Sequence, residues 1–408
     1  MKILMVQNKP CVRNIKYSQA LMDRGHEVYC AYTIGHSDLV MSKDGIWGIH
    51  SKGEIDKEFD SKADAIAHHV MWHKGRYGDA YKEAYFAFHR DDLRLIIERG
   101  GYDLIHSHNF PDTDTVKCLN CGVPVIYDAH DYYPWHKGDT KTIQVIATQQ
   151  ADGRIFVTPY QANFAKQVCA YDEEFSTVFP NYTSRKVVPA VEDHLPKLSS
   201  SDGFTHLVYE GGASDFQHRD FRAIFESLTE QGFNVHCYLT ANTKTYRERF
   251  SDNPRMHVHD ALPLDELMLE MTKYDAGIMY FNLTEENKHH LFACAPNKMY
   301  EYWACGLPVI TNEEIGTMSD AVRRTGWGVA CDISEARQGL IDIIGKAQRG
   351  EIEPEAICVE DNIFMIERFY ELIVRKYTES KNALVEVRAR VLKEIEDKYA
   401  IAAEVRNG

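Results

Sequence analysis

No stretch of this 408-residue chain approaches the roughly 18–20 consecutive apolar residues that a membrane-crossing helix requires. The opening segment, MKILMVQNKP, puts one basic residue ahead of a short apolar run with no long apolar core behind it, so it does not read as a secretory leader. The ten cysteines lie scattered through apolar segments, Cys30, Cys237, Cys305 and Cys331 among them, and form no disulfide framework. That usage suits a reducing compartment, and a cytoplasmic location is expected. A G-x-G-x-x-G fingerprint is missing after the first apolar run, where Gln7-Asn8-Lys9-Pro10 stands instead, and there is no P-loop; both absences count against dehydrogenase and kinase chemistry. Low-complexity tracts are absent, and 25 Gly and 13 Pro are ordinary, which excludes disordered and collagen-like classes. Positive charge is in short supply. The net charge of −15 argues against electrostatic nucleic-acid binding, so a nucleic-acid acceptor is not expected. Residues 1–190 hold about 22 basic and about 24 acidic side chains, so nearly all the acid excess lies beyond them. The first half is therefore the side expected to meet an anionic acceptor or, peripherally, a membrane surface.

What is present is enough apolar residue, 44%, to bury two cores. Apolar runs at residues 2–6, 27–32, 104–107, 123–128, 155–158 and 176–179 alternate with helix-like stretches. A second alternation follows at 205–209, 235–239, 256–259, 276–280, 308–311 and 328–330. Short strands alternating with helices imply βαβ units in a parallel sheet, with ligands at the carboxyl ends of the strands. Between the two alternations, residues 181–203 carry Pro189, Pro196 and Ser199-Ser200-Ser201-Asp202-Gly203, a linker composition. The expected division is an α/β domain at 1–185, a second at 204–360, and helices at 361–408. In the last part Ile363, Ile366, Phe369, Tyr370 and Ile373 recur at helical spacing, and a second helical stretch (Leu384, Val387, Val391, Ile395, Tyr399) follows a break near Ser380-Lys381-Asn382. That stretch fits either packing on its own domain or a homodimer contact.

The run Pro296-Asn297-Lys298-Met299-Tyr300-Glu301-Tyr302-Trp303-Ala304-Cys305-Gly306 reads as a helix with Pro and Asn at its start and Gly at its stop, followed by the strand Leu307-Pro308-Val309-Ile310. The start of such a helix offers unpaired N–H groups and a partial positive charge, which suit a diphosphate. Glu301, one turn in, is then placed for the hydroxyls of a sugar. Spacing alone leaves open a plain αβ connection with a solvated Glu.

The segment resembles the donor-binding helix of GT-B glycosyltransferases of the family-four-like group, in which P-x-K-x-x-E-Y-x-A-x-G-x-P-V-I recurs. Met1 to Gln7 with Arg24-Gly25-His26-Glu27-Val28 resembles that group's opening strand, helix and "RGHEV". Asp103-Leu104-Ile105-His106-Ser107-His108-Asn109, then Val123 to Asp131, then Glu210-Gly211-Gly212 through His218-Arg219 resemble further segments in the same order. The resemblance implies two Rossmann-like, doubly wound domains facing a cleft, with a C-terminal helical extension whose first helix crosses back to the N-terminal domain. It implies no cofactor but a nucleotide-diphosphate sugar donor, UDP- or GDP-linked, and a saccharide, lipid-linked or small-molecule acceptor.

Site residues follow from the resemblance position by position. Gly212, His218 and Arg219 fall in the loop after the first strand of the second domain, Arg219 where a basic residue meets the donor phosphates. Asn297, Lys298 and Glu301 fall on the donor helix, Glu301 on the ribose hydroxyls. His108 and His130, at strand ends of the first domain, are expected to face the cleft as catalytic groups on the donor and acceptor sides, imidazole being suited to proton transfer near neutrality. His106 should point into the core by alternation along its strand. Two positions depart from the pattern: Ala213 replaces a basic residue, and Cys294 stands where retaining members carry a Glu. No metal site is expected; His69 and His73 share a helix spacing without a completing ligand, and Cys118-Leu119-Asn120-Cys121 reads as packing. The aromatic and His-rich stretch at 68–90 reads as acceptor surface. The expected activity is glycosyl transfer, retaining and metal-independent. An epimerase or hydrolase on the same fold and a non-catalytic partner subunit are the alternatives.

Overall fold

The computed structural model describes the chain apart from residues 9–10, 34–38, 42–46, 52–53, 60–79, 88–89, 110, 131, 133–137, 216, 286, 353–356 and 408. The first sheet contains β1 (Lys2–Gln7), β2 (Glu27–Thr33), β6 (Glu83–Ala87), β7 (Leu104–His108), β8 (Val125–Asp128), β9 (Gly153–Phe156) and β10 (Ser176–Val178). Its order is β10-β9-β8-β7-β1-β2-β6, every pairing parallel. Between β2 and β6 the chain forms a small antiparallel sheet of β3 (Leu39–Met41), β4 (Trp47–Ser51) and β5 (Glu54–Phe59). The second sheet contains β11 (His206–Gly211), β12 (Asn234–Leu239), β13 (Met256–Asp260), β14 (Ala276–Met279), β15 (Val309–Asn312) and β16 (Gly328–Cys331), in the order β13-β12-β11-β14-β15-β16, also all parallel.

All twelve apolar runs singled out in the sequence are strands of these sheets. The central strands are buried on both faces, as in Ile3-Leu4-Met5-Val6 and Leu207-Val208-Tyr209, which is why they read as continuous apolar runs, while the edge strands β10, β13 and β16 are only partly buried. The strands not anticipated are β6, an edge strand paired only to β2, and the three of the small sheet. Glu83-Ala84-Tyr85 mixes charge with small and aromatic residues, so β6 lacks the apolar signature of a central strand.

In each sheet the strand order reverses beside its first strand, between β1 and β7 and between β11 and β14. Ligands of open α/β sheets sit outside the carboxyl ends at such points. Gln7, His108 and the residues after them therefore lie at one crevice, Gly211 and Phe281 at the other.

The chain returns to the first domain after the second. Thr183 and Cys358 form a parallel bridge, with Val359 N donating to Thr183 O at 2.8 Å and Thr183 N to Ile357 O at 3.1 Å. Beyond it Ile363, Ile366, Phe369, Tyr370 and Ile373 are buried against Ile3, Met5, Leu104 and Ile126 of the first sheet. Burying such side chains is worth about 1.5–3 kcal/mol apiece. The break expected near residues 380–382 does not exist: Phe364–Asn407 is one helix of 44 residues. Ser and Asn are merely weak helix formers at exposed positions, Lys is a good one, and none of the three is a terminator. Among the described residues, no helix is long and apolar enough to cross a membrane.

Candidate active site

The helix Asn297–Ala304 starts after extended Pro296 and ends where Gly306 takes φ +70°, a conformation that favours glycine. It has no side-chain N-cap and no acid in its first turn, so its leading N–H groups stay available. Two contacts fix its rotation. Tyr302 lies fully buried against Gly277, where any Cβ would strike its ring, and its hydroxyl accepts from Glu210 N at 3.0 Å. Trp303 donates from Nε1 to Trp327 O at 3.0 Å. Glu301 and Lys298 thereby face β11.

An open cavity of about 390 Å³ lies in front of this helix. Gly211, Gly212, His218, Arg219, Cys294, Asn297, Lys298 and Glu301 line it from the second domain; His130, Gln161 and Asn181 line it from the first side of the cleft. The backbone leaves β11 through Gly211 at φ +113°, and a Cβ on Gly212 would sit 2.7 Å from Arg219 Nη1. Two glycines thus let the chain turn and let the guanidinium lie close over it. Arg219 itself is exposed at the lip.

Charge at the closed end is tightly arranged. Lys298 Nζ donates to Glu210 O at 3.0 Å and sits 4.2 Å from the centre of the Tyr209 ring. Burial pulls its ammonium down to about 8, against the opposing pull of Glu210. Burial, and then the Glu301 carboxylate bonded to it, holds the Glu210 carboxyl well above the usual range, so Glu210 keeps its proton far longer than an ordinary glutamate. His218 is pulled down to about 4 by burial and then by Arg219, His290 and Lys298. It is neutral at pH 7 and acts as a dipole rather than a cation.

The first domain supplies a cluster around Asp128, which is fully buried and paired with Arg13 at 2.9 Å. Arg13 also donates to Phe179 O at 2.8 Å and Asn181 Oδ1 at 2.9 Å. Three imidazoles surround the same carboxylate: His106 Nε2 at 3.3 Å, His130 Nδ1 at 3.5 Å and His108 Nδ1 at 3.7 Å. His106 points inward and binds the Tyr370 hydroxyl at 2.5 Å. His130 lines the cavity, its side chain 10% exposed. His108 does not reach it. It is fully buried, stacked on His106 at 4.3 Å, because the last residue of β7 is covered by Tyr17 and His130. The expectation that His108 faces the cleft is corrected accordingly.

Gly212, His218, Arg219, Asn297, Lys298 and Glu301 all line one cavity with His130. Ala213 is buried, and Cys294 lines the cavity with its Sγ donating to Leu291 O at 3.2 Å. Cys118 is buried, and the stretch 68–79, with His69 and His73, lies outside the described residues. Sequence reasoning missed Glu210, Lys16, Gln161 and Asn181. Only Glu210 had a signal, an acid ending an otherwise apolar strand just before two glycines.

Residues 15–183 match the family model of Glycosyltransferase Family 4. Anabaena HepE in complex with UDP-glucose superposes with a TM-score of 0.53 at 16% identity, covering 94% of this chain and 100% of that one. The fold is GT-B, and the stretch that matches the family model lies in its first domain. AviGT4, a glycosyltransferase involved in avilamycin A biosynthesis, superposes with a TM-score of 0.56 at 11% identity over 92% of this GT-B chain and 98% of its own. UDP-GlcNAc 2-epimerase from Neisseria meningitidis bound to UDP-GlcNAc gives 0.53 at 11% identity over 90% and 99%. No curated protein sequence matches the chain.

Proposed function

We propose that this GT-B protein is a glycosyltransferase that moves a sugar from a nucleotide-diphosphate sugar, of the UDP type, to an acceptor hydroxyl. The observation that carries the reading is the convergence on one cavity of an uncapped helix start, Arg219, Lys298 and Glu301. Donors fixed where charge develops are the largest single source of rate in such chemistry. Arg219, Lys298 and the N–H groups of Asn297 and Lys298 would meet the diphosphate without a metal ion, and Glu301 would accept from the ribose hydroxyls. The UDP preference rests on the solved relatives, HepE among them, that hold UDP or a UDP-sugar. The stereochemical reading is retention. The bond from the anomeric carbon to the β-phosphate oxygen breaks as the acceptor oxygen bonds on the same face, and the departing phosphate oxygen takes the acceptor proton.

A thermal-shift panel of UDP, GDP and ADP tests the reading first, since binding to the native state raises its melting temperature. UDP alone should shift it. Transfer from a UDP-sugar to an acceptor set then tests the reaction. No affinity for any nucleotide at millimolar levels would favour a non-catalytic subunit instead.

A second reading is supported by the superposition on a UDP-GlcNAc 2-epimerase and by the Glu210–Glu301 pair, one carboxyl of which holds its proton. Efficient turnover of a UDP-sugar to an epimer or free sugar with no acceptor present would favour it.

A further inference from the structure

We propose that Cys11, His108 and His130 form a binding site for a divalent transition-metal ion of the zinc class, on the first-domain wall of the cavity. The three residues arrive from adjacent strand ends. Cys11 caps the helix Val12–Asp23 after β1, His108 closes β7, and His130 follows β8; β1 pairs β7, and β7 pairs β8. Cys11 is held in place by Gln7, whose Oε1 accepts from Cys11 N at 3.0 Å while its Nε2 donates to Asn109 O.

One donor atom from each of the three lies within 4.8 Å of the other two, and Cys11 Sγ is 3.8 Å from His130 Nε2. Around a tetrahedral ion with sulfur at about 2.3 Å and nitrogen at about 2.0–2.1 Å, the sulfur–nitrogen edge is roughly 3.5 Å. The Cys11–His130 pair is already close to that edge, and binding would draw the three donors together from within 4.8 Å.

His108 supplies the independent sign that a ligand belongs here. It is fully buried, and neither of its ring nitrogens has a hydrogen-bond partner among the described residues. Burying an unpaired polar group is costly, and a metal bond would remove that cost. Behind the cluster, Asp128 approaches Nδ1 of both His108 and His130 and is itself anchored by Arg13. A carboxylate behind an imidazole is the arrangement that orients metal-binding histidines, and it leaves Nε2 of each for the ion.

Two imidazoles and a thiolate suit zinc and its neighbours and reject magnesium and calcium, which take oxygen donors. Binding would release the Cys11 thiol proton to solvent. Three protein donors leave a fourth position, and because His130 lines the cavity that position would receive water or an acceptor hydroxyl. The site is separate from Arg219, Lys298 and Glu301, so it does not depend on how the donor binds.

The experiment is titration of the full-length, chelator-treated protein with Co²⁺. Tetrahedral cobalt bound to a thiolate shows a sulfur-to-cobalt charge-transfer band in the near ultraviolet and strong d–d absorption in the visible. The expected result is saturation at one equivalent and bleaching by Zn²⁺. Cys11→Ser should remove the charge-transfer band, and His130→Gln or His108→Gln should weaken cobalt binding at least about tenfold. Melting temperature checks folding of each variant. If one variant fails to fold, the others carry the same test. No band, a weak octahedral spectrum, or a band that survives Cys11→Ser would overturn the proposal.

Discussion

Lys16 of the first domain donates a hydrogen bond across the cleft to Asn297 Oδ1, 3.3 Å away, at the first residue of the helix that faces the cavity. A second ammonium, Lys298, lies one residue further along. Burial lowers both amines to about 8. A nucleoside diphosphate favours their protonated forms, so its affinity should be flat between pH 6 and about 7.5 and fall above pH 8. Each proton taken up on binding corresponds to about tenfold per pH unit in that range. Calorimetry of UDP binding from pH 7 to 9.5 checks this, with Lys298→Met expected to bind more weakly at pH 7 and with a flatter profile. An affinity that does not change across this range would place the phosphates elsewhere.

Glu301 and Arg219 should separate by ligand. Hydrogen bonds to a charged group are worth roughly 1.5–3 kcal/mol, so Glu301→Ala should weaken nucleoside and nucleoside diphosphate alike, about tenfold or more. Arg219→Ala should weaken the diphosphate by a similar or larger factor and the nucleoside little. Glu210→Gln, which keeps a neutral hydrogen-bonding group beside Glu301, should stay within a few-fold of wild type. Titration of both ligands against the three variants distinguishes these outcomes. Wild-type affinity in Glu301→Ala would remove the Asn297–Ala304 helix from the donor site.

The two histidines should now behave differently. His130→Ala should lower kcat and leave the UDP dissociation constant within a few-fold, because His130 lines the wall opposite the nucleotide. His108→Ala should in addition lower the melting temperature, since it empties a fully buried position stacked on His106 and packed against the Tyr17 ring edge-on. Full kcat in His130→Ala would show that the first-domain wall takes no part in transfer.

Acid stability should trace to the outer strands of the second sheet. His236 bonds His206 at 2.9 Å and His259 at 3.1 Å and stacks on His257. Burial and then the charges of His257, His259 and His206 pull it down to about 2. Its folded pKa lies below its unfolded value near 6.5, so the stability it confers is complete above pH 6.5 and is lost as pH falls below it. The loss from this group is about 1.4 kcal/mol per pH unit below 6. Urea unfolding at pH 7.5, 6 and 5 should show it, and His236→Phe should flatten the slope by up to one proton. Equal slopes would mean that His236 is not buried neutral.

The sheets were legible in the sequence because both-face burial makes their central strands plain apolar runs, and the helix Asn297–Ala304 because Pro296 and Gly306 mark its ends. Other features depend on tertiary placement. β6 carries edge chemistry, and no local rule distinguishes it from a loop. Alternation sent His106 into the core, and its place at a strand end made His108 read as cleft-facing; only the packing of Tyr17 and His130 decides that His108 is covered as well. Lys16 and Asn297 are far apart in sequence, and nothing in either segment announces their contact. The helix Phe364–Asn407 runs through Ser380-Lys381-Asn382 because weak formers such as Ser380 and Asn382 lower propensity without ending a helix.

The bridge between Thr183 and Cys358 ties together the two segments by which the chain leaves and re-enters the first domain. Two crossings stitched side by side act as a door hinge rather than a tether: they permit opening about one line and resist twisting around it. On the proposed reading, a donor would enter by rotation of the Arg219 wall away from the His130 wall about that line. Cutting the chain once in the 189–196 turn region would leave the halves joined through the returning helix, so the register does not rest on a single strand of backbone.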